Sequence, residues 1–266
     1  MKHRTLGDFQ RTTTGVYMAK QGEIEYLETI GEDGRRHAAG KPFSDQECGL
    51  YLARFGQVMA HLPPPPARIL DLGCGTGWTS AFLAQRGYDV VGVDIAPDMI
   101  EVAKKAAEDL KLTQLEFVVG DYESVGFEEE FDGAVFFDSL HHAENERAAL
   151  SCAYRALRPG GVCVVSEPGV GHHETPESKL AIESFNVTEK DMPPKLVIRL
   201  ARDIGFTQSR TYLHQGQLFA LFNHDYSSRR QGLVGWVLRR RILRPLIPHL
   251  AIIRMRGRSG VVVLTR

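Results

Sequence analysis

From residue 63 onward the sequence predicts a doubly wound α/β fold, a mainly parallel seven-stranded sheet with helices on both faces. Three observations carry this expectation. Short apolar runs alternate with longer segments of helical period. The runs are continuous rather than alternately apolar and polar, as strands buried on both faces are. Their junctions hold Gly, Pro or Asp, which end regular structure. A helical cap is expected before this region, and a basic insertion before the last strand.

The elements follow in order. "ARILDLG" reads as a strand, "TSAFLAQRG" as a helix closed by Gly87, and "YDVVGVD" as the next strand. "APDMIEVAKKAAEDLKL" is amphipathic with Pro97 in its first turn, a position where proline costs nothing. "LEFVVGD" and "FDGAVFFD" read as strands, "ENERAALSCAYRALRPGG" as a helix with a Pro-Gly-Gly stop, and "VCVVSEP" as the fifth strand. "PKLVIRLARDIGF" predicts a helix ending at Gly205, "FTQSRTYLH" a sixth strand and "SGVVVLT" the last. The four prolines 63–66 close the preceding helix, "SDQECGLYLARFGQVMAHL", because proline cannot continue it. Residues 1–44 carry no strong period and are expected to form a cap or lid. The chain is therefore divided into a cap with its lead-in helix (1–62) and a main domain (63–266) that includes the insertion (215–258).

Composition sets the surroundings. The 266 residues carry a formal net charge of −1, which hides an asymmetry. Arg229 to Arg258 hold nine arginines and no acid, leaving 23 basic residues against 33 acidic ones elsewhere. Cys48, Cys74, Cys152 and Cys163 form neither a CxxC pair nor a metal-ligand spacing, so a reducing, cytoplasmic setting is expected. The N-terminus lacks the apolar run of a signal peptide, and no run approaches the ~18 residues that span a bilayer.

The most informative stretch is "ILDLGCGTGW". Gly73, Gly75 and Gly77 leave the first strand for a helix, a turn that brings bare backbone close to a ligand at a helix N-terminus. The dinucleotide fingerprint is GxGxxG, whereas the spacing here is GxGxG with Trp78 next. Asp71 also sits badly beside a pyrophosphate and suits an ammonium or another cationic centre. The turn alone therefore disfavours a dinucleotide.

"ILDLGCGTG" followed by "VGVDIAPDMI", "FVVGDYESV", "FDGAVFFDSLHH" and "LRPGGVCVVSEP" resembles a class I S-adenosylmethionine-dependent methyltransferase, of Rossmann-like fold, over about residues 67–168. The resemblance implies S-adenosyl-L-methionine as cofactor and assigns its contacts. Asp71 orients the methionine amino group through the turn, beside Gly73, Gly75 and Gly77. Asp94 accepts from the ribose hydroxyls and Ile95 packs on the adenine. Asp121 accepts from the adenine amine, Tyr122 offers a backbone N–H and an aromatic face, and Asp138 and Ser139 line the methyl end.

The cofactor brings its own electrophile, so the protein's task is to bind, orient and deprotonate an acceptor. Two histidine pairs fall in loops at the carboxyl end of the sheet: His141 and His142 after the fourth strand, His172 and His173 after the fifth. His141 or His142 is expected to act as the base, assisted by Glu167 or a later histidine, because an imidazole titrates near neutrality. Asp138, His141, His142, Glu167, His172 and His173 also have the composition of a metal site, but no metal is expected.

The arginine-rich insertion interleaves Arg with Leu, Ile, Val and Trp236. It suits a lid over a sheet edge, or contact with membrane headgroups or a lipid-linked substrate. Nucleic acid is not expected as a partner, given the acidic remainder. The expected activity is methyl transfer to a small-molecule hydroxyl, on a sugar, glycolipid precursor or natural product. C-methylation of a quinone-type ring, or cofactor binding without catalysis, are the alternatives, and self-association is left open.

Overall fold

The computed structural model describes residues 20–215 and 258–266. The insertion expected over 215–258 lies outside them apart from its two end residues, as do residues 1–19 of the expected cap.

Three helices open the described chain: α1 (Gln21–Thr29), α2 (Gly31–Ala39) and α3 (Cys48–His61). Then come β1 (Arg68–Leu72), α4 (Trp78–Gln85), β2 (Asp89–Asp94), α5 (Pro97–Asp109), β3 (Leu115–Val119) and β4 (Phe131–Phe137). A 3₁₀ turn (Leu140–His142) leads into α6 (Glu146–Ala156) and β5 (Leu157–Glu167). The chain continues through α7 (Pro176–Phe185), α8 (Pro194–Ile204) and β6 (Gln208–Tyr212), and β7 (Gly260–Thr265) ends the described structure. Local chemistry explains several ends. Pro97 occupies the first turn of α5, the Asn145 side chain caps α6 by accepting from the Ala148 N–H, and Gly205 closes α8 at φ +125°. None of the described helices is long and apolar enough to cross a membrane.

The sheet runs β3-β2-β1-β4-β5-β7-β6. β1 to β5 are parallel, and β7 is antiparallel to both β5 and β6. Strand order reverses between β1 and β4, so their carboxyl ends flank the crevice where open α/β sheets bind ligands. Side chains alternate across the sheet into two cores. Leu70, Leu72, Val91, Val93, Phe136 and Val165 pack toward α6 and α8. Ile69, Val90, Val135, Phe137 and Val164 pack with Phe55, Val58 and Leu83 of α3 and α4 on the other face. Burial on both faces is why these strands read as continuous apolar runs.

One boundary differs from the sequence expectation. The Pro-Gly-Gly stretch, read as a helix stop before a strand at Val162, lies inside β5, which already begins at Leu157. Leu157 pairs with Phe131 and Val162 with Gly133, so the extra residues form an irregularity that Gly160 accommodates at φ +81°.

Candidate active site

The glycine turn is held by the protein's own groups. The Gly73 and Cys74 N–H donate to the Val93 carbonyl at 2.8 and 3.0 Å, and the Gly77 N–H to the Cys74 carbonyl at 2.9 Å. The Gly75 N–H donates to Asp94 Oδ2 at 2.7 Å. With these donors committed, the turn is no phosphate cradle. A Cβ on Gly73 would come within 2.5 Å of Ser139 Cβ, and one on Gly77 within 2.7 Å of Ala103 and Phe117. Only at Gly75, with φ +52°, would a Cβ meet nothing within 4 Å. Two of the three glycines are therefore demanded by packing, and the third faces open space beside Asp94.

Asp71 is buried and accepts from Thr79 Oγ1 and Ser80 Oγ, both at 2.6 Å. Burial raises its pKa and the two hydroxyls oppose the rise. It therefore fixes the turn against the first residues of α4 rather than reaching out of it. Trp78 packs among Phe55, Phe82 and Phe137, with ring centroids 5.1–5.7 Å away.

At the end of β2, Asp94 accepts from the Gly75 N–H and, through Oδ1, from the Ala96 N–H at 3.0 Å. A carboxylate has about four acceptor positions, so it retains capacity for a diol. Ile95, half-buried, follows it. After β3, both Asp121 oxygens lie 3.0 Å from Lys20 Nζ, and Lys20 also pairs with Glu123. Lys20 is a contact the sequence did not reveal. The Tyr122 ring lies in the core edge-on to Phe136, its hydroxyl donating to the Ser139 carbonyl at 2.9 Å. The aromatic face expected to meet the adenine is thus turned inward, because the ring fills the space beneath the turn.

At the switch point, the Ser139 hydroxyl donates to the Leu72 carbonyl at 2.7 Å, tying β4 to β1. Glu167, buried at the end of β5, accepts through Oε1 from the Ser139 and Leu140 N–H groups at 3.0 and 2.8 Å. Its Oε2 lies 2.6 Å from His141 Nδ1. A carboxylate at Nδ1 fixes the tautomer that leaves the Nε2 lone pair on the far side of the ring. His141 Nε2 is 3.7 Å from Glu189 Oε2.

The second histidine has a different task. His142 stacks on His141 at 4.0 Å, with Nδ1 2.7 Å from the Thr188 carbonyl and 3.4 Å from Glu23 Oε1. Burial alone would lower its pKa, but Glu23, with Glu189 and the Thr188 carbonyl, raises it to about 9. As a free base near neutrality it is disfavoured. Of the later pair, His172 joins the cluster, 2.6 Å from Glu189 Oε2 and edge-on to His141. His173 instead pairs with Asp191 at 2.9 Å and is half-exposed.

Asp138, at φ +49°, pairs with Arg54 of α3. Burial would raise its pKa, but the guanidinium holds it below the ordinary carboxylate range. Arg54 also lies over the Phe137 ring at 5.1 Å and the Tyr51 ring at 5.7 Å. Nearby, His214 donates from Nε2 to the Glu167 carbonyl at 3.1 Å, while Nδ1 has no partner among the described residues. Burial and the charge of Arg54 lower its pKa to about 4, so it is neutral. Glu23, Arg54, Glu189 and His214 were not marked by any motif; each comes from an element distant in sequence.

Asp94 and Asp121, at the ends of two adjacent strands, have the chemistry for a diol and an exocyclic amine, whereas Asp71 is engaged inside the turn; the histidine cluster lies beyond them at the end of β4 and β5. A family model described as a methyltransferase domain matches residues 70–165. The sheet that carries this match has the Rossmann-like fold of class I methyltransferases. S-adenosylmethionine is the cofactor of this domain.

Among curated proteins, the methyltransferase domain is 40% identical over 108 residues to an O-methyltransferase of Pyrenophora dematioidea, covering 39% of this chain and 40% of that one. It is 33% identical over 149 residues to a demethylmenaquinone methyltransferase of Clavibacter sepedonicus, covering 55% and 57%. The chain thus spans about half the length of the curated relatives it matches. The fold resembles a Haemonchus contortus phosphoethanolamine N-methyltransferase solved with S-adenosyl-L-methionine, with a TM-score of 0.61 at 16% identity over 92% of this chain and 59% of that one.

Proposed function

We propose that this protein transfers a methyl group from S-adenosylmethionine to a hydroxyl oxygen of a small molecule, such as a sugar, a glycolipid precursor or a natural product. The observation that carries the reading is the Glu167–His141 pair at the switch point. Glu167 orients the ring, and His141 Nε2 takes the acceptor proton as the oxygen attacks. The rest of the site positions: Asp94 and Asp121 hold the ribose and adenine ends, and the Arg54–Asp138 pair sets the wall beside the methyl end. Transfer requires the acceptor oxygen in line with the S–CH₃ bond at ~3 Å, so orientation contributes much of the rate. The Pyrenophora O-methyltransferase supports the choice of oxygen.

A second reading is C-methylation of a quinone-type ring, favoured by the similarity to the demethylmenaquinone methyltransferase. The same base would then take the proton from the ring. A screen of hydroxylated acceptors and quinols with methyl-labelled cofactor separates the two by the position of the label. Failure of every acceptor to take label in a chain that binds the cofactor would remove both.

A further inference from the structure

We propose that His141, His142 and Glu189 form a binding site for a divalent transition-metal ion of the zinc class. Each residue offers one ligand atom, and these atoms all lie within 4.8 Å of one another. The stronger argument is how they are held. His141 Nδ1 meets the Glu167 carboxylate at 2.6 Å, and His142 Nδ1 meets the Thr188 carbonyl at 2.7 Å. A carboxylate and a backbone carbonyl are the partners that metal-binding imidazoles have at their non-ligating nitrogen, and they leave Nε2 of both rings for an ion. Glu189 Oε2, the oxygen that faces His141 Nε2, also accepts from Ser178 Oγ at 3.2 Å and lies 2.6 Å from His172 Nε2.

Charge and distance agree. The carboxylates of Glu23, Glu167 and Glu189 surround the rings, and a dication that takes the place of the His142 proton offsets their charge. Tetrahedral zinc with ligands at ~2.1 Å draws its ligand atoms to about 3.4 Å apart. His141 Nε2 and Glu189 Oε2, at 3.7 Å, need little movement. Two imidazoles and one carboxylate select a borderline metal over magnesium, and three protein ligands leave one position open. The inference rests on reading this pocket as the acceptor end. An ion on the Nε2 lone pair of His141 withholds that nitrogen from the acceptor proton, so the metal-free protein carries out the transfer and the loaded protein is held inactive.

The test uses the full chain, stripped with a chelator and titrated with Zn²⁺ or Co²⁺. The expected result is one ion per chain and the visible absorption of tetrahedral Co²⁺. His142→Ala and Glu189→Gln should each weaken metal binding by at least ~10-fold. Calorimetry with S-adenosylmethionine should show that both variants remain folded, and His173→Gln should retain the ion. No ion bound by the stripped chain, or undiminished binding by both variants, overturns the proposal. Methyl transfer that saturating Zn²⁺ leaves undiminished also overturns it and leaves the methyl-transfer reading standing. Stoichiometric binding in a chain that methylates no acceptor supports the metal site and removes the other reading.

Discussion

The Glu167 carboxylate is shared between a side chain and a turn: Oε2 lies 2.6 Å from His141 Nδ1, while Oε1 accepts the Ser139 and Leu140 amides at 3.0 and 2.8 Å. One buried residue at the end of β5 thus fixes both the backbone after β4 and the imidazole it presents. Stability and chemistry are coupled at this point.

Glu167→Gln should therefore lower both. An amide keeps one acceptor oxygen but places N–H groups against backbone donors, which costs ~1–3 kcal/mol of stability. His141→Asn should instead cut turnover by ~10²-fold or more, the scale of a lost general base, with little change in cofactor affinity. Denaturant titration and single-turnover kinetics read the two effects separately. A His141→Asn protein with wild-type turnover would falsify the assignment.

Asp94 joins the glycine turn to the place where a ribose would sit. Asp94→Ala should weaken S-adenosylmethionine binding by ~1.5–3 kcal/mol, the range for hydrogen bonds to a charged group. It should also loosen the turn, since the Gly75 and Ala96 amides lose their acceptor. Calorimetry showing unchanged affinity contradicts the role given to this carboxylate.

The glycines separate folding from binding. Gly75→Ala should cost only ~1–2 kcal/mol of stability, the strain of a left-handed alanine, yet hinder the cofactor, because its Cβ enters open space beside Asp94. Gly77→Ala should destabilise more, because its Cβ would lie 2.7 Å from Ala103 and Phe117. Melting curves with and without cofactor test the contrast, and equal melting losses with equal ligand stabilisation would refute it.

His214 makes stability depend on pH. Its folded pKa, about 4, is below the ordinary value of 6.5 because burial and Arg54 disfavour the charged ring. The unfolded chain therefore binds the extra proton between those values. The contribution is fully present above pH 6.5 and is lost as the pH falls through 4, amounting to ~3 kcal/mol at most. His214→Gln should flatten the stability profile over that window. An unaltered profile would assign the acid sensitivity to other groups.

The parallel sheet and the carboxylates at its strand ends were legible in the sequence because both are local. A buried parallel strand must be a continuous apolar run. The residues just past its carboxyl end are those that face the crevice, so Asp94, Asp121 and His141 could be located by position alone. Tyr122 follows Asp121 past the same strand end, but the direction of its ring depended on Phe136 and Ser139. Composition suggested a metal set of six residues, and the fold draws His172 toward His141 while leaving His173 with Asp191.

By itself, the sequence determined the order of strands and helices, the sharp glycine turn and the family of the cofactor. These depend on periodicity, on backbone freedom and on residues close together in the chain. The tertiary structure alone decided which charges meet. Lys20 reaches Asp121 across 101 residues and Arg54 reaches Asp138 across 84. Glu23 meets His142, Glu189 meets His141 and His172, and His214 meets the Glu167 carbonyl. Lys20, Glu23, Arg54, Glu189 and His214 carry no motif signal. Each acts at the site only because helices and loops from different parts of the chain converge over the carboxyl end of one sheet.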